Sequence, residues 1–307
     1  MSGHGHSHVP LTATAAHRRR LLVVLVITAT VVVGEAVGSA LSGSFALLAD
    51  AGHMLTDTAG LATALAASSL AARPATARRT FGWQRAEVLA ALANGLLLTV
   101  VAVMVLVGGV RRLVVPDGDL RPGLMIVIAL VGLAANAVGL LLLRAGKDES
   151  LNVRGAYLEV LGDAIGSVAV VAAGLVIAAT GFVRADGVAS VVIALLILPR
   201  AWSLLRDVVL VLLEATPPEV DLDVVREHIA RVPGVVAVHD LHVWTITSGV
   251  RVLSAHVVVA SERMTPEGSQ DVLTRLRTCL AGHFEVDHCT FQIEGPQTAS
   301  QETVVHD

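Results

Sequence analysis

Residues 41–57 read Leu41-Ser-Gly-Ser-Phe-Ala-Leu-Leu-Ala-Asp50-Ala-Gly-His53-Met-Leu-Thr-Asp57, an apolar stretch with a histidine and an aspartate four positions apart. Residues at i and i+4 of a helix lie on the same face, one above the other. A second apolar stretch repeats this spacing with Glu159 and Asp163. Two such helices would bring one imidazole and three carboxylates into one volume. Ionisable side chains in hydrocarbon are costly unless they bind a cation or a proton, so the pattern predicts a pathway for a metal ion.

The composition around these stretches is that of a membrane protein. Apolar residues make up 54% of the 307 residues, charged residues 16%, and the mean hydropathy is +0.72. The net charge of −4 argues against nucleic acid as a partner, since a nucleic-acid-binding surface is basic. Apolar runs long enough to cross about 30 Å of hydrocarbon occur six times, at roughly 21–41, 45–71, 86–113, 123–143, 155–180 and 186–212.

The basic residues between these runs predict the orientation. Six spans would place both termini on one side of the lipid bilayer, because each span reverses the direction of the chain. That side would hold Arg18, Arg19, Arg20, Arg73, Arg78, Arg79, Arg85, Arg144, Lys147, Arg154, Arg200 and Arg206, and the other side Arg111, Arg112, Arg121 and Arg184. Cytoplasmic loops are enriched in Lys and Arg. We therefore expect a multi-pass protein of the cell inner membrane with cytoplasmic N- and C-termini.

The character of the sequence changes near residue 214. The paired prolines of Thr216-Pro217-Pro218 end the last span, because proline cannot continue a helix. Helical periodicity at 219–231 and 265–283 and β-branched runs at 235–246, 250–260 and 286–294 then give the order αββαβ. This order predicts a small α+β domain, and its short core favours pairing with a second copy. The predicted parts are a tail at 1–20, a six-helix transmembrane domain at 21–213, a cytoplasmic domain at 214–296 and a tail at 297–307.

Four motifs, in this order, resemble those of the cation diffusion facilitators, a family of metal-efflux transporters. They are the 41–57 stretch, Phe81-Gly-Trp-Gln-Arg85-Ala-Glu87, Leu161-Gly-Asp163-Ala-Ile-Gly-Ser167, and Val238-His239-Asp240-Leu-His242-Val-Trp244 with Leu253-Ser-Ala-His256. The likeness covers nearly the whole chain. It implies a homodimer with six spans per protomer, a cytoplasmic ferredoxin-like domain, and export of divalent metal from the cytoplasm in exchange for protons.

The expected transport site consists of His53, Asp57, Glu159 and Asp163, and it departs from the family pattern at one position. Zinc-handling relatives commonly place histidine where this chain has Glu159. The carboxylate makes the ligand set harder and adds a negative charge. Zinc still suits four mixed nitrogen and oxygen ligands, so Zn²⁺ is the expected substrate. A broader exporter of cadmium, cobalt, iron or manganese is the alternative.

A second candidate site lies in the cytoplasmic domain. His239 and His256 fall on candidate neighbouring strands, and the resemblance places Glu294 where relatives carry an acidic metal ligand. These three residues would bind Zn²⁺ outside the transport path, although Gln292 stands where some relatives have histidine. His242 alternates onto the face opposite His239, so the two should not serve one ion. The tail histidines, His4, His6 and His8, either bind metal weakly or belong to a plain polar segment.

Further polar residues inside the apolar runs are open to two interpretations, interhelical hydrogen bonding or a proton or ion path. They are Glu35, Asp50, Glu87, Asn94, Asn136 and Asp186. Gly34-x-x-x-Gly38 predicts a close approach of two helices. The sequence has neither His-Glu-x-x-His nor a Walker A motif, so a metallohydrolase and an ATP-driven pump are not expected. The chain should not be an enzyme, and a membrane metal sensor is the remaining rival.

Overall fold

The computed structural model describes residues 15–115, 119–144, 151–284, 286 and 288–299. The histidines at positions 4, 6 and 8, Lys147 in the loop that begins at Ala145, and the end of the C-terminal tail lie outside these residues.

Six long helices contain the six predicted apolar runs. They are α1 (Ala15–Ser42), α2 (Phe45–Ala71), α3 (Ala86–Val114), α4 (Pro122–Arg144), α5 (Leu151–Thr180) and α6 (Arg184–Leu212). Among the described residues, five of these helices are long and apolar enough to cross a membrane, and α2 is the exception. It has 27 residues, enough for a span of about 40 Å. Asp50, His53 and Asp57 lower its hydropathy, as expected for a helix that lines a polar site.

Local sequence sets the ends of these helices. Gly43 has φ 74° between α1 and α2, and Gly181 has φ 71° directly after α5, where a left-handed residue ends a helix at no steric cost. Pro122 begins α4, a position at which the missing N–H costs nothing. Helix α6 ends at Leu212, four residues before the predicted stop at Thr216-Pro217-Pro218, and Glu214 follows with a positive φ of 56°.

The chain divides into two compact units, residues up to 63 with 93–203, and residues 64–92 with 204 onward. In the first unit, α4 packs against α1 and α5. The core of this unit is built from small and medium apolar side chains, among them Ala46, Leu47, Leu98, Met125 and Val170. Small side chains let helix backbones approach closely, which is the main source of packing energy between helices in lipid.

The second unit contains the α+β domain that the sequence predicts. Its elements are α7 (Leu222–Ala230), β1 (Val235–Thr247), β2 (Val250–Val259), a 3-10 turn (Ser261–Arg263), α8 (Pro266–His283), β3 (His288–Glu294) and α9 (Pro296–Ala299). Strand β2 lies in the middle of the sheet, antiparallel to β1 and parallel to β3. Asp221 caps α7 and Thr265 caps α8 with side-chain oxygens, which satisfies first-turn N–H groups. The apolar faces of α7, α8 and the sheet share one core around Ile229, Leu253 and Leu276.

Two polar contacts join the α+β domain and the end of α6 to the start of α3 within this unit. Thr247 Oγ1 donates a hydrogen bond of 2.7 Å to Glu87 Oε2. Arg85 Nη2 lies 2.7 Å from Glu214 Oε1, just beyond the end of α6. The sequence places Glu87 inside an apolar run, and the structure shows it hydrogen-bonded to Thr247 at the end of β1.

Candidate metal centre

The structure brings His53, Asp57 and Asp163 together. One ligand atom from each lies within 4.8 Å of the others. His53 Nε2 is 3.6 Å from Asp57 Oδ2 and 3.8 Å from Asp163 Oδ1. Ligand atoms around a tetrahedral zinc ion, with bonds of about 2.0–2.2 Å, lie about 3.4 Å apart. Small side-chain shifts would therefore close the cluster around one ion.

The helices explain why these side chains meet. His53 and Asp57 are one turn apart on α2, as the sequence predicts, and α5 brings Asp163 against them. Asp163 has 2% of its side chain exposed, which leaves water few ways to solvate the carboxylate. His53 Nδ1 and Asp163 Oδ1 have no hydrogen-bond partner in the part of the chain that the structure describes. Buried polar atoms are normally paired, so these two suggest a missing cationic or protonic partner.

Glu159, the fourth predicted ligand, lies outside the 4.8 Å group and makes a different contact. Its Oε1 accepts a hydrogen bond of 3.0 Å from Arg200 Nη2. Arg200 Nη1 donates to Asp57 Oδ2 at 3.1 Å, so one guanidinium joins two of the predicted ligands. Glu159 is 35% exposed and Arg200 46% exposed, in contrast to the buried Asp163.

Arg200 is a member of the cluster that the sequence does not predict, since its charge serves there only to indicate the orientation in the membrane. A signal was present. Arg200 lies inside an apolar run, and an arginine there needs a carboxylate partner. The run containing Arg200 has two acidic residues, Asp186 and Asp207, and neither lies three or four positions from Arg200, so a carboxylate partner on another helix was to be expected.

A cavity of about 390 Å³ adjoins the cluster. It is lined by Asp50, His53, Glu159 and Arg200 together with glycines of α5 and apolar residues of α6. Adding a Cβ at Gly155 or Gly162 would meet no atom within 4 Å, so these positions keep the cavity wide. The volume would accept a partly hydrated divalent cation.

A second polar group lies next to the cavity. Ser167 Oγ donates to Asp50 Oδ2 at 3.2 Å, and Asn136 Nδ2 donates to Ser167 Oγ at 3.5 Å. Glu35 is 1% exposed, and neither of its carboxylate oxygens has a hydrogen-bond partner among the described residues. Interhelical hydrogen bonding thus accounts for Asn136 and one oxygen of Asp50, and it does not account for Glu35.

Asp186 has a structural role at the start of α2. It accepts hydrogen bonds from Ser44 Oγ and from the backbone N–H groups of Phe45 and Ala46, and it pairs with Arg112 Nη1 at 2.8 Å. A carboxylate at a helix N-terminus satisfies N–H groups that have no partner inside the helix.

The second cluster lies on the sheet of the α+β domain. His256 Nδ1 is 2.9 Å from Glu294 Oε1, and His239 Nε2 is 3.4 Å from Glu294 Oε2. The structure adds Asp240, whose Oδ2 is 3.5 Å from His239 Nδ1 and 3.9 Å from His256 Nδ1. His242 is exposed, whereas His239 is buried. Gln292 does not displace Glu294 but donates a hydrogen bond to its Oε1 at 2.6 Å.

A β-bulge directs Asp240 toward these histidines. His239 pairs with His256 and His242 with Ser254, so three steps along β1 match two along β2. Asp240 has φ 46°, a left-handed conformation that is uncommon outside glycine. Strained backbone of this kind is characteristic of functional sites. The alternation of residues along a strand could not predict the position of Asp240, because a bulge changes the face of the sheet on which a residue lies.

Comparisons with known proteins identify the family of the chain. Residues 21–213 match the family model described as the cation efflux transmembrane domain, and residues 217–296 match the cation efflux protein cytoplasmic domain. The chain belongs to the cation efflux family. The resemblance to the cation diffusion facilitators is thereby confirmed.

Relatives of this cation efflux protein are similar over most of their length. The metal cation efflux system protein CzcD of Cupriavidus metallidurans is 43% identical over 293 residues, 95% of this chain and 90% of the relative. The zinc transporter ZitB of Escherichia coli is 41% identical over 269 residues, 87% and 84% of the two chains. A cadmium, cobalt and zinc/H(+)-K(+) antiporter of Bacillus subtilis is 37% identical over 262 residues, 85% and 83%.

One solved structure, the metal-bound C-terminal domain of the CzcD transporter from C. metallidurans, is 43% identical over 24% of this chain and 99% of that chain, with a TM-score of 0.23.

Family membership fixes the broad class. The cation efflux protein is a multi-pass membrane transporter of metal cations and not an enzyme. The predicted helical membrane domain followed by an α+β domain is confirmed as its architecture.

Proposed function

We propose that the protein exports zinc from the cytoplasm by antiport against protons, through a site formed by His53, Asp57, Glu159 and Asp163. The observation that carries the proposal is the buried cluster of His53, Asp57 and Asp163, with their ligand atoms within 4.8 Å of one another. The relatives named as zinc transporters and as a zinc/H(+)-K(+) antiporter support the same substrate and mode of coupling.

The chemistry of the four proposed ligands couples metal binding to proton release. A metal ion binds an unprotonated imidazole and ionised carboxylates, so its arrival expels any protons that the four side chains carry. In the cytoplasm-facing state the site loads metal, and in the opposite state protons displace the metal. A proton gradient then drives export through the same residues, because metal and protons compete for them.

The cytoplasmic cluster is proposed as a second, regulatory Zn²⁺ site. His239, His256 and Glu294 are its ligands, and Asp240 is added because its carboxylate lies against both rings. Zinc bound there affects transport only if its affinity differs between the conformations of the transporter. We place this domain in the cytoplasm, with both termini, at the inner membrane of a cell, and we propose that it stabilises a homodimer.

Broader specificity is the second candidate function. It is favoured by Glu159, an oxygen donor that also suits manganese or iron. It is further favoured by the Bacillus subtilis relative, whose name includes cadmium and cobalt. A membrane metal sensor would bind the same ions without moving them.

Flux through purified protein in liposomes tests the proposal. Asp163→Asn keeps the size of the side chain and removes its charge, and we expect zinc flux to fall to the background of protein-free liposomes. A pH dye inside the vesicles should show proton movement opposite to zinc in the wild type and none in the variant. Asp119→Asn, an exposed position between α3 and α4, is the matched control and should transport normally. Zinc flux close to normal in Asp163→Asn would refute the site, and wild-type binding without flux would identify a sensor.

A further inference from the structure

Arg200 connects two carboxylates of the candidate metal centre. Its two terminal nitrogens bind carboxylates from two different helices, Asp57 of α2 at 3.1 Å and Glu159 of α5 at 3.0 Å. Both carboxylates are predicted metal ligands. A guanidinium keeps its charge at any physiological pH, so it acts here as a permanent monovalent cation on a side-chain tether.

We propose that Arg200 competes with the transported metal for Asp57 and Glu159, and that it thereby weakens metal binding and speeds metal release. The inference rests on the proposed function, because it assumes that these carboxylates bind the substrate. It adds a residue on a third helix, α6, to the determinants of affinity.

Electrostatic repulsion keeps the metal and Arg200 from holding the same carboxylate oxygens together. A metal bound to the oxygens that Arg200 now holds would lie about 2 Å from them, hence within about 5 Å of the guanidinium. A divalent and a monovalent cation repel strongly at that distance where the effective dielectric constant is low. The metal can share these oxygens only if Arg200 withdraws from at least one of them.

Arg200 also balances part of the negative charge of the site. Asp57, Glu159 and Asp163 supply three carboxylates, one more than a set with histidine at position 159 would have. A site with an additional carboxylate attracts a divalent cation more strongly, and a transporter that binds too tightly releases slowly. Arg200 offsets that additional charge, because one of its nitrogens is bonded directly to Glu159.

The surroundings of Arg200 leave its side chain room to withdraw. Its side chain is 46% exposed at the edge of the cavity, whereas Asp163 is 2% exposed. Pro199 precedes it inside α6 and removes a helical hydrogen bond at that turn. Helix turns with a missing hydrogen bond deform more easily than regular ones. The arginine can therefore leave the carboxylates without disrupting buried packing.

Binding and flux measurements on Arg200→Gln test the proposal. Zinc is titrated calorimetrically into the purified full-length protein, and the component lost in Asp163→Asn is assigned to the transport site. We expect this component to tighten in Arg200→Gln by a factor within the usual range of site coupling, about 5- to 150-fold. In liposomes the KM for zinc and the maximal rate should both fall, because the metal binds more tightly and leaves more slowly.

Controls separate competition from a general loss of structure. Arg184→Gln removes the same charge from the start of α6, where the side chain bonds to the carbonyl of Leu113, and it should leave both parameters unchanged. Arg200→Lys keeps the charge and loses the two-pronged geometry, so its affinity should lie between wild type and Arg200→Gln. Arg200→Met, which keeps the apolar stem, repeats the test if the glutamine variant does not fold.

The outcomes are distinct. If zinc binding in Arg200→Gln or Arg200→Met is unchanged or weaker and the KM for zinc is raised, the proposal is overturned. Arg200 would then only position the two carboxylates. If Asp163→Asn removes no binding component and transports normally, the transport site itself is assigned wrongly, which is a failure of the proposed function rather than of the competition.

Discussion

At the scale of single residues, Glu159, the fourth proposed ligand, is expected to control metal selectivity. Glu159→His exchanges an oxygen donor for a nitrogen donor, which favours zinc over the harder manganese ion. We expect the ratio of zinc to manganese flux to rise by about tenfold, or roughly 1.4 kcal/mol. The measurement is a competition flux assay in liposomes.

Glu159→Gln is the matched control for that prediction. It removes the same negative charge but keeps an oxygen donor, so it separates charge from donor type. An equal rise in the two variants would mean that charge alone sets the preference. An unchanged ratio in both would show that Glu159 is not a ligand or that selection takes place elsewhere.

The buried Asp186 carboxylate should matter for stability rather than for metal binding. Asp186→Ala leaves Arg112 without its partner at 2.8 Å and leaves the first N–H groups of α2 unsatisfied. Removing one partner of a buried ion pair typically costs about 3–5 kcal/mol. Thermal unfolding in detergent should therefore show a lower midpoint. Asp119→Ala, an exposed carboxylate, is expected to unfold like the wild type, and equal midpoints for the two variants would contradict the capping role.

At the scale of elements, only one glycine of the Gly34-x-x-x-Gly38 motif lies at a close helix contact. A Cβ at Gly38 would lie 2.3 Å from Ile128 Cδ1, whereas a Cβ at Gly34 would meet no atom within 4 Å. Gly38 thus allows α1 to approach α4 closely, and Gly34 does not take part in that contact. The motif predicted a close approach but not which glycine makes it.

Valine substitutions at the two glycines test this assignment. Both variants change helix propensity equally, so the difference between them reports packing. Gly38→Val should be less stable than Gly34→Val by about 1–3 kcal/mol, the usual cost of overpacking. The free energy of unfolding in mixed micelles measures it. Equal stabilities would show that α1 and α4 adjust without cost or that Gly34 packs in another assembly.

At the scale of the whole molecule, the cytoplasmic domain is expected to stabilise the dimer and to regulate transport. Cutting the chain after Pro218 removes His239, His256 and Glu294, and it also removes the hydrogen bond from Thr247 to Glu87. The predicted result is a weaker dimer and slower flux with the same order of metal preference, because the proposed transport ligands remain.

Two measurements on the truncated protein decide between regulation and selection. Light scattering in detergent measures the mass of the assembly and so shows whether the dimer persists. Flux assays with zinc, cadmium, cobalt, manganese and iron measure the order of metal preference. A changed order of metals would show that the domain filters the substrate. The control is full-length His256→Ala. It keeps the domain and removes one proposed ligand of the cytoplasmic cluster, so it shows the effect of losing metal binding at that cluster alone.

The sequence by itself determined the six long helices, because apolar periodicity and proline and glycine positions are local signals. It did not predict the short α9 (Pro296–Ala299) or the 3-10 turn (Ser261–Arg263). It also determined that His53 and Asp57 share a face, as do Glu159 and Asp163, because a helix fixes the i, i+4 relation without reference to the rest of the chain. The α-β-β-α-β order was also predictable, because each segment carries its own helical or strand periodicity.

Tertiary structure decided which of these side chains meet. Ser44 and Asp186 are 142 positions apart, and Arg200 and Asp57 are 143 apart, so no local pattern joins them. Helix packing places Asp186 at the start of α2 as a cap. It also places Arg200 against Asp57 and Glu159, two of the proposed ligands, so that Glu159 contacts the guanidinium and lies outside the group formed with His53. Asp240 joined the second cluster through a bulge, which depends on strand pairing. Contacts of this kind depend on how distant elements pack, and periodicity along one segment carries no information about that.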